Sequence, residues 1–191
     1  VTLITRPRRF GKTLGMSMLA HFFDIEKDSR ALFEGLEISK QKELCVQWMS
    51  QYPVIFITFK KVDGLNFKSA YEMLEVTIAE FCQSHSFLLE SEKIVKEQKE
   101  VFQRLKECKA SKTELKNSLE LLTRMMQAHY GRPVILLLDE YDVPIAKASS
   151  NGYYEKMLDI MKGLMQALKD NSALQLAVIT GCLKIAKESI F

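Results

Sequence analysis

Four short apolar runs, at residues 1–5, 54–59, 134–138 and 176–180, limit most strongly the folds open to this chain. Each is rich in Val, Ile or Leu and lacks alternation with polar residues. A strand with one wet face alternates, whereas a strand covered by helices on both faces does not. Helical stretches separate the runs. The pattern therefore predicts β-α-β crossovers and a three-layer α/β sandwich around a mainly parallel sheet. At 191 residues the chain suits one domain spanning 1–191, with a core of its own.

Between the second and third runs, residues 66–130 read as a helical insertion. Tyr71, Leu74, Ile78 and Phe81 have helical spacing, and residues 90–108 look like a charged, solvated helix. Ser111 and Glu114 form a capping-box pattern that predicts a helix to about residue 129, ended by Gly131 and Pro133. A further helix is expected over residues 153–170. The methionines at 125, 126, 157, 161 and 165 fall at helical spacing and are read as core fillers.

The first run leads directly into Thr5-Arg-Pro-Arg-Arg-Phe-Gly-Lys-Thr-Leu14, and an amphipathic helix follows through Met16, Leu19 and Phe22. At such a strand-to-helix turn, backbone amides and the helix dipole converge on one point and favour phosphate. Lys12 is suited to reach the β- and γ-phosphates of a nucleotide. Thr13 is suited to hold Mg²⁺, and Gly11 lets the backbone approach closely. Arg9, Phe10 and Leu14 complete the candidate nucleotide-binding stretch. The pattern G-x-x-x-x-G-K-[ST] is incomplete, because Arg6 occupies the first glycine position. Arg6, Arg8 and Arg9 add positive charge beside it.

The third run ends in Asp139-Glu140. A carboxylate at the C-terminal end of a buried parallel strand lies in the crevice where open α/β sheets bind ligands. Asp139 is a candidate for the Mg²⁺ shell, and Glu140 for the general base that activates water. Another strand intervenes in sequence between the loop and the acidic pair, and the last run ends at Thr180. This order is similar to the additional-strand, catalytic-glutamate branch of P-loop NTPases. There, Thr180 would take the position of the polar residue that senses the γ-phosphate.

Charge and composition narrow the alternatives. A net charge of +3 gives no strong polyelectrolyte drive toward nucleic acid. Cys45, Cys82, Cys108 and Cys182 are widely spaced, and only three histidines accompany them, so a zinc site is not expected. The thiols are read as reduced in a cytoplasmic protein. No apolar stretch reaches the roughly 20 residues of a membrane helix. Because the chain opens on a strand without Met and stops within a patterned segment, it is expected to be a piece of a longer protein.

With these residues placed, the chain resembles the predicted AAA-ATPase-like family of bacterial proteins. The resemblance rests on Arg6-Pro-Arg-Arg-Phe-Gly-Lys-Thr13, Leu32-Phe-Glu-Gly-Leu36, Tyr52-Pro-Val-Ile-Phe56, Val134-Ile-Leu-Leu-Leu-Asp-Glu-Tyr-Asp-Val-Pro144, Gly152-Tyr-Tyr154 and the segment from Thr180 to Phe191. Arg6 in place of the first glycine is the family's own form. The resemblance implies ATP and Mg²⁺ as cofactors, and a homo-oligomer in which a neighbour completes the site. It also implies contact with nucleic acid through a PD-(D/E)xK nuclease-like domain following this module. Lys184 stands where similar sequences carry arginine, and a lysine loses the bidentate fork. The expected function is ATP hydrolysis driving a conformational switch or assembly. The alternative is a nucleotide-binding regulatory or interaction module with little or no turnover, in association with nucleic acid.

Overall fold

Along β3 (Val134–Asp139) all 6 residues are buried, and alternate side chains enter two separate cores. Val134, Leu136 and Leu138 join the larger core, and Ile135 and Leu137 the smaller. The absence of polar alternation in this run is the direct result. The computed structural model describes residues 1–7 and 9–182. It sets β3 between β2 (Val54–Thr58) and β4 (Leu174–Gly181), with β1 (Thr2–Thr5) beyond β4. All three pairings are parallel, in the order β1-β4-β3-β2.

Helices cover both faces, giving the mixed α/β sandwich of a P-loop NTPase. On one face α1 (Lys12–Phe23), α2 (Arg30–Phe33) and α3 (Lys42–Trp48) build the smaller core, with Met16, Phe22, Phe23, Phe33 and Trp48 packed on the sheet. The larger core takes side chains from α4 (Phe67–Ser84), α5 (Lys96–Lys106), α6 (Lys112–Lys116) and α7 (Ser118–Tyr130). It also takes them from α8 (Val143–Ser150) and α9 (Tyr154–Met165). Met125, Met126, Met157, Met161 and Met165 are all buried there, as their spacing predicts.

Several local expectations change. Ser111 and Glu114 do form a capping box, but the helix they open stops at Lys116 and a new one starts at Ser118. Asn117 makes the joint, and Gly131, at φ 68°, ends α7 in the left-handed conformation that glycine tolerates. The stretch read as solvated holds α5, whose Phe102 and Leu105 are buried among its charges. Residues 143–150 form α8, a helix that the sequence reading did not foresee, started by Pro144 in its first turn. β1 is not covered on both faces. Its residues alternate between exposed and half-buried, with Ile4 39% exposed, because among the described residues it pairs only with β4.

Register places the functional edge. Thr5 pairs with Gly181, Leu138 with Ile179 and Thr58 with Asp139, so the C-terminal strand ends line up. The strand lying between the loop-bearing β1 and the acidic β3 in space is β4, whereas β2 flanks β3 on its far side. Thr180 is thereby inserted between the loop and Asp139.

Candidate functional site

The loop from Arg6 to Gly11 turns the chain from β1 into α1. The N–H of Arg6 donates to the carbonyl of Gly181 (3.2 Å), prolonging the β1–β4 ladder by one residue. Arg6 is not among the left-handed residues, so no glycine is needed at this position. Arg9 and Gly11 do take left-handed backbone, with φ 68° and 71°. Gly11 caps α1 without a side-chain hydrogen bond, and the N–H of Gly15 returns to its carbonyl at 2.9 Å. A Cβ on Gly11 would meet nothing within 4 Å, so backbone conformation alone selects glycine here.

Lys12 folds back over the loop. Its ammonium donates to the carbonyls of Arg6 (2.9 Å) and Pro7 (3.1 Å), and lies 3.4 Å from Cys182 Sγ. All three partners are uncharged, and among the described residues Lys12 forms no ion pair with a carboxylate. Its full positive charge stays available at the start of a helix, where the dipole adds to it.

Thr13 lies next along the chain, and its hydroxyl donates to Asp139 Oδ2 at 2.8 Å across 126 positions of sequence. The hydroxyl of Thr180 bonds the other oxygen, Asp139 Oδ1. Asp139 is 0% exposed and Thr180 1%. A buried carboxylate is costly unless its oxygens are satisfied, and these two hydroxyls satisfy one oxygen each. Glu140 follows with left-handed backbone, φ 56°, and a half-buried side chain. Non-glycine residues seldom adopt that region, and such strain concentrates at functional positions.

A second set of contacts fastens β3 to β4 just outside this cluster. The Tyr141 N–H donates to the carbonyl of Thr180 (3.1 Å), and the Cys182 N–H to Asp142 Oδ2 (3.0 Å). Tyr141 and Asp142 are buried. A Cβ on Gly181 would come within 2.5 Å of Asp142 Oδ1 and 2.7 Å of Tyr141 Cε1, so glycine is required here for space. Sequence reading gave no role to Tyr141, Asp142, Gly181 or Cys182. Their signals were that two distant blocks, Asp-Glu-Tyr-Asp and Thr-Gly-Cys, both end strands and both belong to the stretches that carry the family resemblance.

Of the candidates read from sequence, Lys12, Thr13, Asp139, Glu140 and Thr180 converge on one edge of the sheet. Phe10 and Leu14 are 68% and 67% exposed, and Arg9 is exposed. Arg6, Phe10, Lys12 and Thr180 also border an apolar cavity of about 720 Å³, which continues past Met18, Leu19 and Trp48. Arg8, Lys184 and the last family block from residue 183 onward lie outside the described residues. Among the described residues no cluster of His, Cys, Asp and Glu suits a protein-held metal cage. No helix there is long and apolar enough to cross a membrane.

The chain is 30% identical over 190 residues to a protein of Azotobacter chroococcum mcd 1, named "Uncharacterized protein in vnfD 5'region". The match takes in 98% of this chain and 31% of that protein, so the chain spans about a third of its relative's length. No solved structure matches the chain significantly. A family model described as "Predicted AAA-ATPase" matches residues 1–191 without interruption, and the chain belongs to that AAA-ATPase-like family.

Proposed function

We propose that this chain binds Mg-ATP at the Gly11-Lys12-Thr13 turn and hydrolyses it, with the energy released driving a conformational switch or an assembly step. The observation that carries the reading is the 2.8 Å bond from Thr13 to Asp139. It joins the first turn of a phosphate-suited helix to the end of the central acidic strand. Because Thr13 gives its only proton to Asp139, its lone pairs are left for a cation. A hydroxyl beside a carboxylate is a hard oxygen donor set of the kind Mg²⁺ prefers, with phosphate oxygens and water completing the shell. When bound, Mg²⁺ would neutralise charge developing on the phosphates.

The chain's own groups divide the remaining work. Lys12, which forms no ion pair with an acid among the described residues, exchanges two neutral carbonyls for the β- and γ-phosphate oxygens. Gly11 and the first amides of α1 cradle the phosphates. Asp139 holds Thr13 in its proton-donating orientation and stays buried while doing so. Glu140 orients a water and takes its proton, the general-base role that its place at the strand end suits. The apolar cavity beside the loop favours a nucleotide over inorganic phosphate, since a flat heterocycle gains from such a wall.

Calorimetric titration of ATP with and without Mg²⁺ tests the binding step. Lys12→Ala is expected to weaken Mg-ATP binding by about 100-fold, the loss of charge-assisted hydrogen bonds to phosphate. Glu140→Gln is expected to retain binding and trap unhydrolysed ATP. A folded wild type that binds no ATP would refute the reading. ATP bound but turned over by neither wild type nor Glu140→Gln would reduce it to the regulatory alternative.

A further inference from the structure

The protons of the site limit what Thr180 can do. A threonine hydroxyl carries one proton, and a carboxylate accepts but does not donate. Asp139 Oδ2 takes the proton of Thr13, and Asp139 Oδ1 takes that of Thr180. Each oxygen of this fully buried carboxylate therefore has its own hydroxyl donor. Turning the Thr180 proton toward a ligand would strip one of those buried oxygens of its donor, at the cost of an unsatisfied buried acceptor.

Backbone around Thr180 is held on both sides. Its carbonyl accepts from Tyr141 N–H, the following carbonyl at Gly181 accepts from Arg6 N–H, and Cys182 N–H is fixed by Asp142. Gly181 packs so closely on Tyr141 and Asp142 that the chain has no slack there. The side chain is thus presented from a pinned position, with its lone pairs directed away from Asp139.

We propose that Thr180 is a positioning residue for Asp139 and faces the ligand only as a hydrogen-bond acceptor. It does not sense the terminal phosphate. Phosphate oxygens at neutral pH are acceptors as well, so Thr180 has nothing to give them. It can accept from a water O–H, and it keeps Asp139 aligned so that Thr13 stays ready for the cation. This inference rests on the Mg-ATP reading and deepens it. It places the function of Thr180 in the Mg²⁺ dependence of binding and removes it from the discrimination of ATP from ADP.

The test compares wild type, Thr180→Val and Thr180→Ser in titrations with ATP and with ADP over a range of Mg²⁺ concentrations. Thr180→Val keeps shape and strand propensity but has no hydroxyl, while Thr180→Ser restores one. Thr180→Val is expected to leave the ratio of ADP to ATP Kd within about twofold of wild type, since no phosphate contact is lost. The Mg²⁺ concentration for half-maximal ATP binding should rise about tenfold, and Thr180→Ser should recover most of that shift. A narrowed ATP/ADP ratio at saturating Mg²⁺, or an unchanged Mg²⁺ midpoint, overturns the proposal and leaves the ATP reading standing. A wild type that binds neither nucleotide overturns both. If Thr180→Val fails to fold, Thr180→Ala gives the same comparison with less steric demand.

Discussion

Glu140 offers a way to separate stability from chemistry at one position. Its φ of 56° puts a side-chain-bearing residue in the left-handed region, which costs L-residues about 1–2 kcal/mol. Glycine avoids that strain but loses about 0.5–1 kcal/mol through the greater freedom of its unfolded chain. Alanine at the same position keeps the strain and, like glycine, lacks the carboxylate. The structure therefore predicts that Glu140→Gly is more stable than Glu140→Ala by roughly 1 kcal/mol, the strain less the entropy term. For a chain of this size that difference is about 2–4 °C in Tm. Both variants are expected to lose ATP turnover, because neither offers a base. Thermal denaturation without nucleotide, followed by single-turnover hydrolysis, measures the two effects on the same samples. An alanine variant more stable than the glycine variant by about 0.5–1 kcal/mol, the entropy term alone, would show that the backbone at Glu140 is unstrained, and the argument from conformation to function would fail.

Two further outcomes follow from the same contacts. Gly181→Ala forces a Cβ to within 2.5 Å of Asp142 Oδ1; overpacking of this kind costs about 1–3 kcal/mol, readable as a lower urea midpoint, and an unchanged midpoint would refute the close packing of β4 on Tyr141 and Asp142. The Arg104 guanidinium, with help from the Ser111 N–H, lowers the Glu114 carboxyl from its ordinary 4.5 to about 2. A carboxylate lowered in the folded state stabilises it above the unfolded value and loses that contribution as pH falls. Wild type should therefore lose stability between pH 4.5 and about 2, and Glu114→Gln should flatten that part of the pH profile in acid titrations followed by circular dichroism.

Legibility from sequence followed the range of the interactions. The buried run at residues 134–138 and the turn at Gly11 were readable because their signals are local: unbroken aliphatic residues, and a Gly-Lys-Thr entering a helix. The capping box at Ser111 was equally local, but the break at Asn117 was not, since α6 and α7 share one helical pattern. Helix α8 escaped because its Ala- and Ser-rich sequence has weak apolar periodicity. The exposure of β1 depends on which strand pairs with it, and nothing within residues 1–5 encodes that. The clasp of Tyr141 and Asp142 on residues 180–182 joins two strand ends about 40 positions apart. It exists only because β4 enters the sheet beside β3. The candidate residues were thus found by type and local context, whereas the hydrogen bonds that unite them required the strand order.

That strand order also bears on the chain as it is synthesised. β1 leaves the ribosome before the other described strands, yet the strand that pairs with it, β4, is the last described element of the sequence. Lys12 meets Cys182 across 170 positions, and Thr13 meets Asp139 across 126. Contacts of such separation form late and slow the folding of a domain. A nascent chain that has emerged only as far as β3 holds the loop and the acidic pair, but lacks the strand that fixes their spacing. On the proposed reading, the capacity to hold a nucleotide therefore arrives with β4. From that moment any bound ligand stabilises the whole sheet by mass action, favouring chains that include β4 over shorter nascent forms.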